Sequence, residues 1–169
     1  MKTRLDDILS RVTIDTLEKL AFMFAFPEDE EGGGLIDSSI AATISFTGPF
    51  TGTLIIGISP RSLPELAANM LGVDDPDKTN QDQQHDALRE TTNVICGNLL
   101  TGIAGEAAVF EIGLPEVFAK GKGVKGEMAK YEGRKPNSST TLELEDGRCR
   151  LLLFVEGEIS KETLLDERE

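Results

Sequence analysis

The order of polar and apolar residues along the chain alternates between a helical and a strand period. Between residues 3 and 26, Ile14, Leu17, Leu20 or Ala21, and Phe24 recur at helical spacing. Asp6 and Asp7 stand near the start, where the helix dipole favours acids. Pro27 sets the stop. The stretch PEDEEGGG (27–34) reads as an acidic, glycine-rich turn or loop. Ile36 to Phe46 then alternates, with Ile40, Ala42, Ile44 and Phe46 on one face. Phe50 to Ile58 returns the pattern across the turn Thr47-Gly48-Pro49, which predicts a hairpin. Ser59 and Pro60 open a short helix carrying Leu63, Leu66, Ala67 and Met70, and Gly72 ends it. Val73 to His85 is a polar connector, and Asp86 to Gly105 is a long amphipathic helix. Val109 to Phe118 is apolar enough for a strand, and Pro115 makes it an edge, a bulge or a bend. Lys120 to Pro136 reads as a Gly- and Lys-rich loop. Ser139 to Leu144 and Cys149 to Gly157 form a second hairpin around Glu145-Asp146-Gly147-Arg148.

The element order is helix, hairpin, short helix, long helix, strand, hairpin. Strands joined by short turns favour an antiparallel sheet, so the expected fold class is α+β. A single mostly antiparallel sheet carries two long helices packed on it. A helix followed by paired strands occurs twice, which suggests an internal pseudo-duplication of two similar halves. Residues 1–158 are expected to form the single domain and 159–169 a charged C-terminal tail.

Charge narrows the partners. With 17 Lys+Arg against 30 Asp+Glu, the formal net charge is −13. That disfavours nucleic acid and anionic membrane surfaces, both of which attract cations. No apolar run reaches the roughly 18 residues of a membrane span. The opening MKTRLDDIL lacks the apolar core of a signal peptide. Cys96 and Cys149 are far apart and read as buried free thiols, which fits a reducing cytoplasm. The one histidine, His85, lies in the polar connector, and no His/Cys cluster has zinc spacing, so no metal site is expected. The basic run Lys120-Gly-Lys-Gly-Val-Lys-Gly126 lacks a phosphate-loop pattern and reads as a hairpin end that could help dock an acidic partner.

The chemistry gathers on the long helix. At about 100° per residue, Leu88, Thr92, Ile95, Cys96, Leu99 and Ile103 form the core stripe. Asp86, Glu90, Asn93 and Gly97 form the opposite stripe. Asn and Gly are poor helix formers, so their place at mid-helix asks for a reason. Glu90 and Asn93, three apart, are neighbours on the helix surface. The carboxylate can only accept hydrogen bonds, while the amide both donates and accepts. Such a pair can hold a cation with the Glu and a water with the Asn. A Glu-x-x-Asn pair is common by chance, and taken alone it reads first as a solvated helix face.

The surroundings add a pattern. An Asp four residues before the Glu, an Asn three after it and a proline, Pro115, about twenty residues later resemble the signature of the CheC/CheX/FliY phosphatases of bacterial chemotaxis. The string ETTNVICGNLLTGIAGE (90–106) is similar to the corresponding helix of that family. CheC-like members carry the motif on two helices. Here the first helix offers Glu18 but has Ala21 three residues on, so the single motif resembles the CheX-type member. The resemblance implies hydrolysis of the aspartyl phosphate of a CheY-like receiver domain. Asn93 would position the attacking water and Glu90 would dock on the receiver's lysine. Asp86 would either contact the partner or cap the helix start, and Gly97 would let the two backbones approach. The phosphatase would need no cofactor of its own, since Mg²⁺ is expected in the partner receiver. A homodimer is likewise implied. The same resemblance extends to flagellar switch components, which leaves a non-catalytic receiver-binding or scaffold domain as the alternative.

Overall fold

The computed structural model describes residues 3–28, 40–118, 131 and 133–164. Helix α1 (Arg4–Ala21) starts with a capping box: the Thr3 hydroxyl accepts from the Asp6 amide and the Asp6 carboxylate accepts from the Thr3 amide. The helix ends at Ala21, five residues short of the expected stop. The Phe22 and Met23 amides turn back onto the carbonyls of Glu18 and Leu17, and Phe22 adopts a left-handed conformation at φ 53°. The chain then runs extended into β1 (Phe26–Pro27), which explains why Phe24 is exposed although it fits the helical spacing.

The strands β2 (Ile40–Thr47) and β3 (Thr51–Ile58) form the first hairpin, paired from Ile40↔Ile58 to Phe46↔Gly52. Residues 29–39 lie outside the described part, and so does the expected strand start at 36–39. A 3₁₀ turn, Pro60–Ser62, leads into α2 (Leu63–Leu71). Ser59 precedes that turn without capping it. Its hydroxyl accepts instead from the Arg148 amide at 3.0 Å, which fastens this corner to the second hairpin.

Helix α3 (Gln81–Ala104) is the longest element, at 24 residues. It begins five residues before the expected start. Asn80 and Gln83 form a reciprocal capping box, with amide-to-side-chain distances of 2.8 and 3.0 Å. The signal Asn-x-x-Gln was present in the polar connector, where polarity masked it. His85 therefore sits on the helix and not in a connector.

After α3 come β4 (Glu111–Ile112) and β5 (Glu116–Phe118), both paired antiparallel to β2. Phe46 faces Ile112 and Thr43 faces Glu116, so Gly113, Leu114 and Pro115 stand opposite only Ser45 and Ile44. The proline thus marks a one-residue bulge on the edge of the sheet, one of the three readings its position allowed. Strands β6 (Ser138–Glu143) and β7 (Arg148–Glu156) form the second hairpin. Most of the basic loop, residues 119–130 and 132, lies outside the described part.

Among the described residues the seven strands make one antiparallel sheet ordered β1-β6-β7-β3-β2-β4, with β5 beside β4 along β2. Each long helix is followed by a short strand that pairs with the other half's hairpin: β1 with β6, and β4 and β5 with β2. The hairpins join through β3 and β7. This reciprocal exchange is the pseudo-duplication in three dimensions. Of the three α-helices, α1 packs on β6 and α3 on β2, while the nine-residue α2 packs against α3 and α1.

The core lies between helices and sheet. Ala42, Ile44 and Phe46 of β2, Leu54, Ile56 and Ile58 of β3, and Leu151 and Leu153 of β7 point toward Leu9, Leu17, Leu88, Ile95, Leu99 and Ile103 of the helices. Each of the Leu, Ile and Phe side chains contributes about 1.5–3 kcal/mol by leaving water. Alternate positions carry a smaller cluster of Ile55, Leu152 and Phe154 against Tyr131 on the reverse face. The Tyr131 hydroxyl donates to Thr53 at 2.8 Å, and the Arg134 guanidinium lies 5.4 Å from the Tyr131 ring centre. Beyond β7, Ile159 and Leu164 pack against the core, so the start of the charged tail is anchored.

Candidate functional site

Helix α3 is held along its inner side by Leu88, Thr92, Ile95, Cys96, Leu99 and Ile103, all buried as their spacing predicts. Polar Thr91 and Thr92 tolerate burial because their hydroxyls donate to the carbonyls of Ala87 and Leu88 at 2.8 and 2.7 Å. On one flank α1 approaches closely at Gly102, where an added Cβ would stand 3.1 Å from Ile8 Cγ2. Asn98 bridges the same pair of helices, donating to the Thr16 hydroxyl at 3.2 Å. Nearer the start of the helix on the same flank, the Thr91 hydroxyl lies 3.4 Å from the Met70 sulfur of α2.

The outer stripe is left to solvent. Asp86, Glu90 and Asn93 are exposed, and Gly97 follows one turn on. Among the described residues neither the Glu90 nor the Asn93 side chain has a hydrogen bond or ion pair. Gly97 has open space around it: a Cβ placed there meets nothing within 4 Å. Gly102 and Gly97 are therefore opposite cases on one helix. At the first an added methyl would crowd α1, and at the second it would meet nothing.

Asp86 departs from one of its two expected roles. The helix begins at Gln81, so Asp86 lies beyond the first turn and does not cap it. It accepts from Arg89 Nη1 at 2.5 Å in an exposed i,i+3 ion pair, which adds little stability. Arg89 was not singled out from the sequence; its i,i+3 spacing from Asp86 was the available signal.

On α1, Glu18 is exposed but Ala21 is fully buried, and the Ala21 carbonyl accepts from Asn69 Nδ2 at 2.7 Å. The position that corresponds to Asn93 thus faces inward at a helix end.

Other chemistries find little in this arrangement. Cys96 and Cys149 are buried and free, and burial pushes both thiols up to about 12, which keeps them protonated and unreactive. Among the described residues no group of three or more His, Cys, Asp or Glu side chains could hold a metal ion. None of the described helices is long and apolar enough to cross a membrane.

Comparison with known proteins gives the site a family. The solved structure of CheX from Vibrio vulnificus superposes with a TM-score of 0.69 at 18% identity, covering 92% of this chain and 99% of that one. CheX from Desulfovibrio desulfuricans gives 0.67 at 16% identity, with 91% and 100% covered. The CheX–CheY–beryllofluoride–Mg²⁺ complex from Borrelia burgdorferi gives 0.67 at 16% identity, with 89% and 97% covered. At these identities the likeness is one of fold. No curated protein sequence matches the chain. The family model described as chemotaxis phosphatase CheX matches residues 40–133, a span that contains all of α3 and its outer stripe, and the chain belongs to the CheX family of chemotaxis phosphatases.

Proposed function

We propose that this chain hydrolyses the aspartyl phosphate of a CheY-like receiver domain and that Asn93 and Glu90 carry the activity. The observation that supports this most is the outer stripe of α3. It holds an exposed carboxylate and amide one turn apart, neither engaged with the described chain, beside a glycine with open space around it. The CheX relative complexed with CheY, beryllofluoride and Mg²⁺ supplies the class of partner.

The reaction needs little covalent help. A water oxygen attacks phosphorus, the bond from phosphorus to the carboxyl oxygen breaks, and the aspartate leaves as a carboxylate with inorganic phosphate as the other product. In phosphoryl transfer most of the catalysis is positioning and electrostatics. The Asn93 carbonyl accepts one water hydrogen and so turns an oxygen lone pair toward phosphorus, while its NH₂ remains a donor to a phosphoryl oxygen. A base is unnecessary because a carboxylate is a good leaving group. Glu90 pairs with the receiver's lysine and sets the register, and its place one turn from Asn93 fixes where the amide enters. Asp86, bound to Arg89, presents a further carboxylate at the rim, and Gly97 lets the receiver backbone come close. The Mg²⁺ belongs to the receiver. The setting is the cytoplasm, and the chain acts as a homodimer.

The test is loss of phosphate from a phosphorylated receiver with Mg²⁺ present. Asn93→Ala is expected to slow turnover by about 10²-fold, the scale of losing one oriented polar group, with unchanged melting temperature and receiver affinity. Glu90→Ala is expected to weaken both binding and turnover. A wild-type chain that binds the phosphorylated receiver without accelerating phosphate loss would make it a binding or scaffold domain.

A further inference from the structure

Phe22 carries two features that folding does not require. Its backbone is left-handed, at φ 53° and ψ 31°, and it is the one non-glycine residue with positive φ among the described residues. Its ring is 70% exposed. A bulky residue is strained there, and the matching end of α2 uses Gly72 at φ 72°. A glycine or asparagine at position 22 would close α1 at lower cost, and burial of the ring returns nothing. Unfavourable backbone held under an exposed aromatic points to a use for that aromatic.

Its surroundings say where. Asn69 Nδ2 donates to the Ala21 carbonyl at 2.7 Å, which ties the end of α1 to the last turn of α2. The sulfur of the next residue of α2, Met70, lies 3.4 Å from the Thr91 hydroxyl. Thr91 follows Glu90. Two contacts therefore bring the ends of α1 and α2 to the segment of α3 that holds Glu90. The same end of α2 carries Leu71, 52% exposed, and just past it Val73 is 36% exposed.

We propose that Phe22, with Leu71 at the end of the α2 helix tied to it, is the apolar anchor of the surface that receives the phosphorylated receiver domain. The proposal rests on the reading of the α3 stripe given above. The stripe itself is polar and aims at an active site, so it offers charge and hydrogen bonds but little area to desolvate. A stable protein contact needs an apolar centre, usually around an aromatic residue. Phe22 and Leu71 supply one at the helix ends that these contacts tie to the Glu90 segment. The exposed row also continues through Phe24 and Phe26 to β1 at the sheet edge, which makes a second copy of the chain the competing occupant.

The full chain is titrated with a panel of CheY-type receivers, each activated by beryllofluoride and Mg²⁺, and its melting temperature and self-association are measured alone. Phe22→Asn is expected to weaken receiver binding by about 30-fold, the scale of an aromatic hot spot. It is expected to raise the melting temperature by about 2–4 °C, because the strained left-handed residue is relieved. A merely structural phenylalanine would lower it. Phe22→Tyr keeps the ring and is expected to keep affinity, and Leu71→Ser is expected to weaken binding without changing the fold. The anchor is overturned if Phe22→Asn binds the receiver as the wild type does, if it melts lower, or if its effect is confined to self-association. A wild-type chain that binds no receiver of the panel overturns the receiver reading of the whole site.

Discussion

The contrast between Gly97 and Gly102 allows stability and activity to be moved in opposite directions. Gly97 lies in the interior of α3, and an added Cβ meets nothing within 4 Å. Gly97→Ala therefore carries the helix-propensity gain without a steric cost, about 0.8–1 kcal/mol. For a domain of this size that raises the melting temperature by about 2–4 °C. At Gly102 the new methyl would lie 3.1 Å from Ile8 Cγ2 and 3.6 Å from Val12 Cγ2, so the same gain is spent against α1. Gly102→Ala is the internal control and is expected to melt below Gly97→Ala. In the proposed docked state the Gly97 methyl becomes an intruder. Overpacking a closely fitted contact costs about 1–3 kcal/mol, which lowers kcat/KM for the phosphorylated receiver by roughly 5- to 150-fold. Circular dichroism melts and a phosphate-release assay on the three proteins decide the matter. If Gly97→Ala is more stable and turns over the receiver normally, the receiver does not approach α3 at this point. If it is less stable, the open space described around Gly97 is wrong.

Two further predictions concern the fold. Asp6 Oδ1 accepts from the Ser138 hydroxyl at 2.6 Å and the Ser139 amide at 3.0 Å, while Oδ2 accepts from the Thr3 amide at 3.0 Å. Partial burial pushes this carboxyl up, but the hydrogen bonds from Ser138, Thr3 and Ser139 outweigh it and hold it below its ordinary 3.8. A lowered folded-state value means that the stabilisation is present above the unfolded value and lost as pH falls through the folded one. Asp6→Asn should cost about 1–2 kcal/mol at neutral pH in denaturant unfolding and should flatten the loss of stability below about pH 4. An unchanged acid limb would show that another carboxylate governs it. Cys96 and Cys149, with thiols raised to about 12 by burial, should be silent to a thiol reagent in the native chain and should both react once it is denatured. Fast labelling of the native protein would contradict their burial.

Much of the helix and hairpin structure was legible because its causes are local. The inner stripe of α3 follows from a period of 3.6, and the two hairpins follow from alternation across short turns. The outer stripe was legible for the same reason, since Glu90, Asn93 and Gly97 must share a face once the helix is granted. The errors came where a local signal had a rival. The Asn80–Gln83 box was hidden in a polar run, and Asp86 lost its capping role when the helix began earlier. Phe24 fitted a helical spacing that the turn at Phe22 had already ended.

By itself the sequence determined the α+β class, the two hairpins, the inner and outer faces of α3 and the family whose residues those faces carry. Only the tertiary structure decided the exchange of strands between halves, with β1 crossing to β6 and β4 and β5 to β2. These pairings join two- and three-residue strands to partners far along the chain, and nothing in a short window encodes which edge they will meet. The same holds for the position of Phe22. Its exposure and its link through α2 to the Glu90 segment of α3 arise from contacts among the three helices that no periodicity records. Local spacing says which side of a helix a residue takes, and only packing between distant elements says what stands beside it.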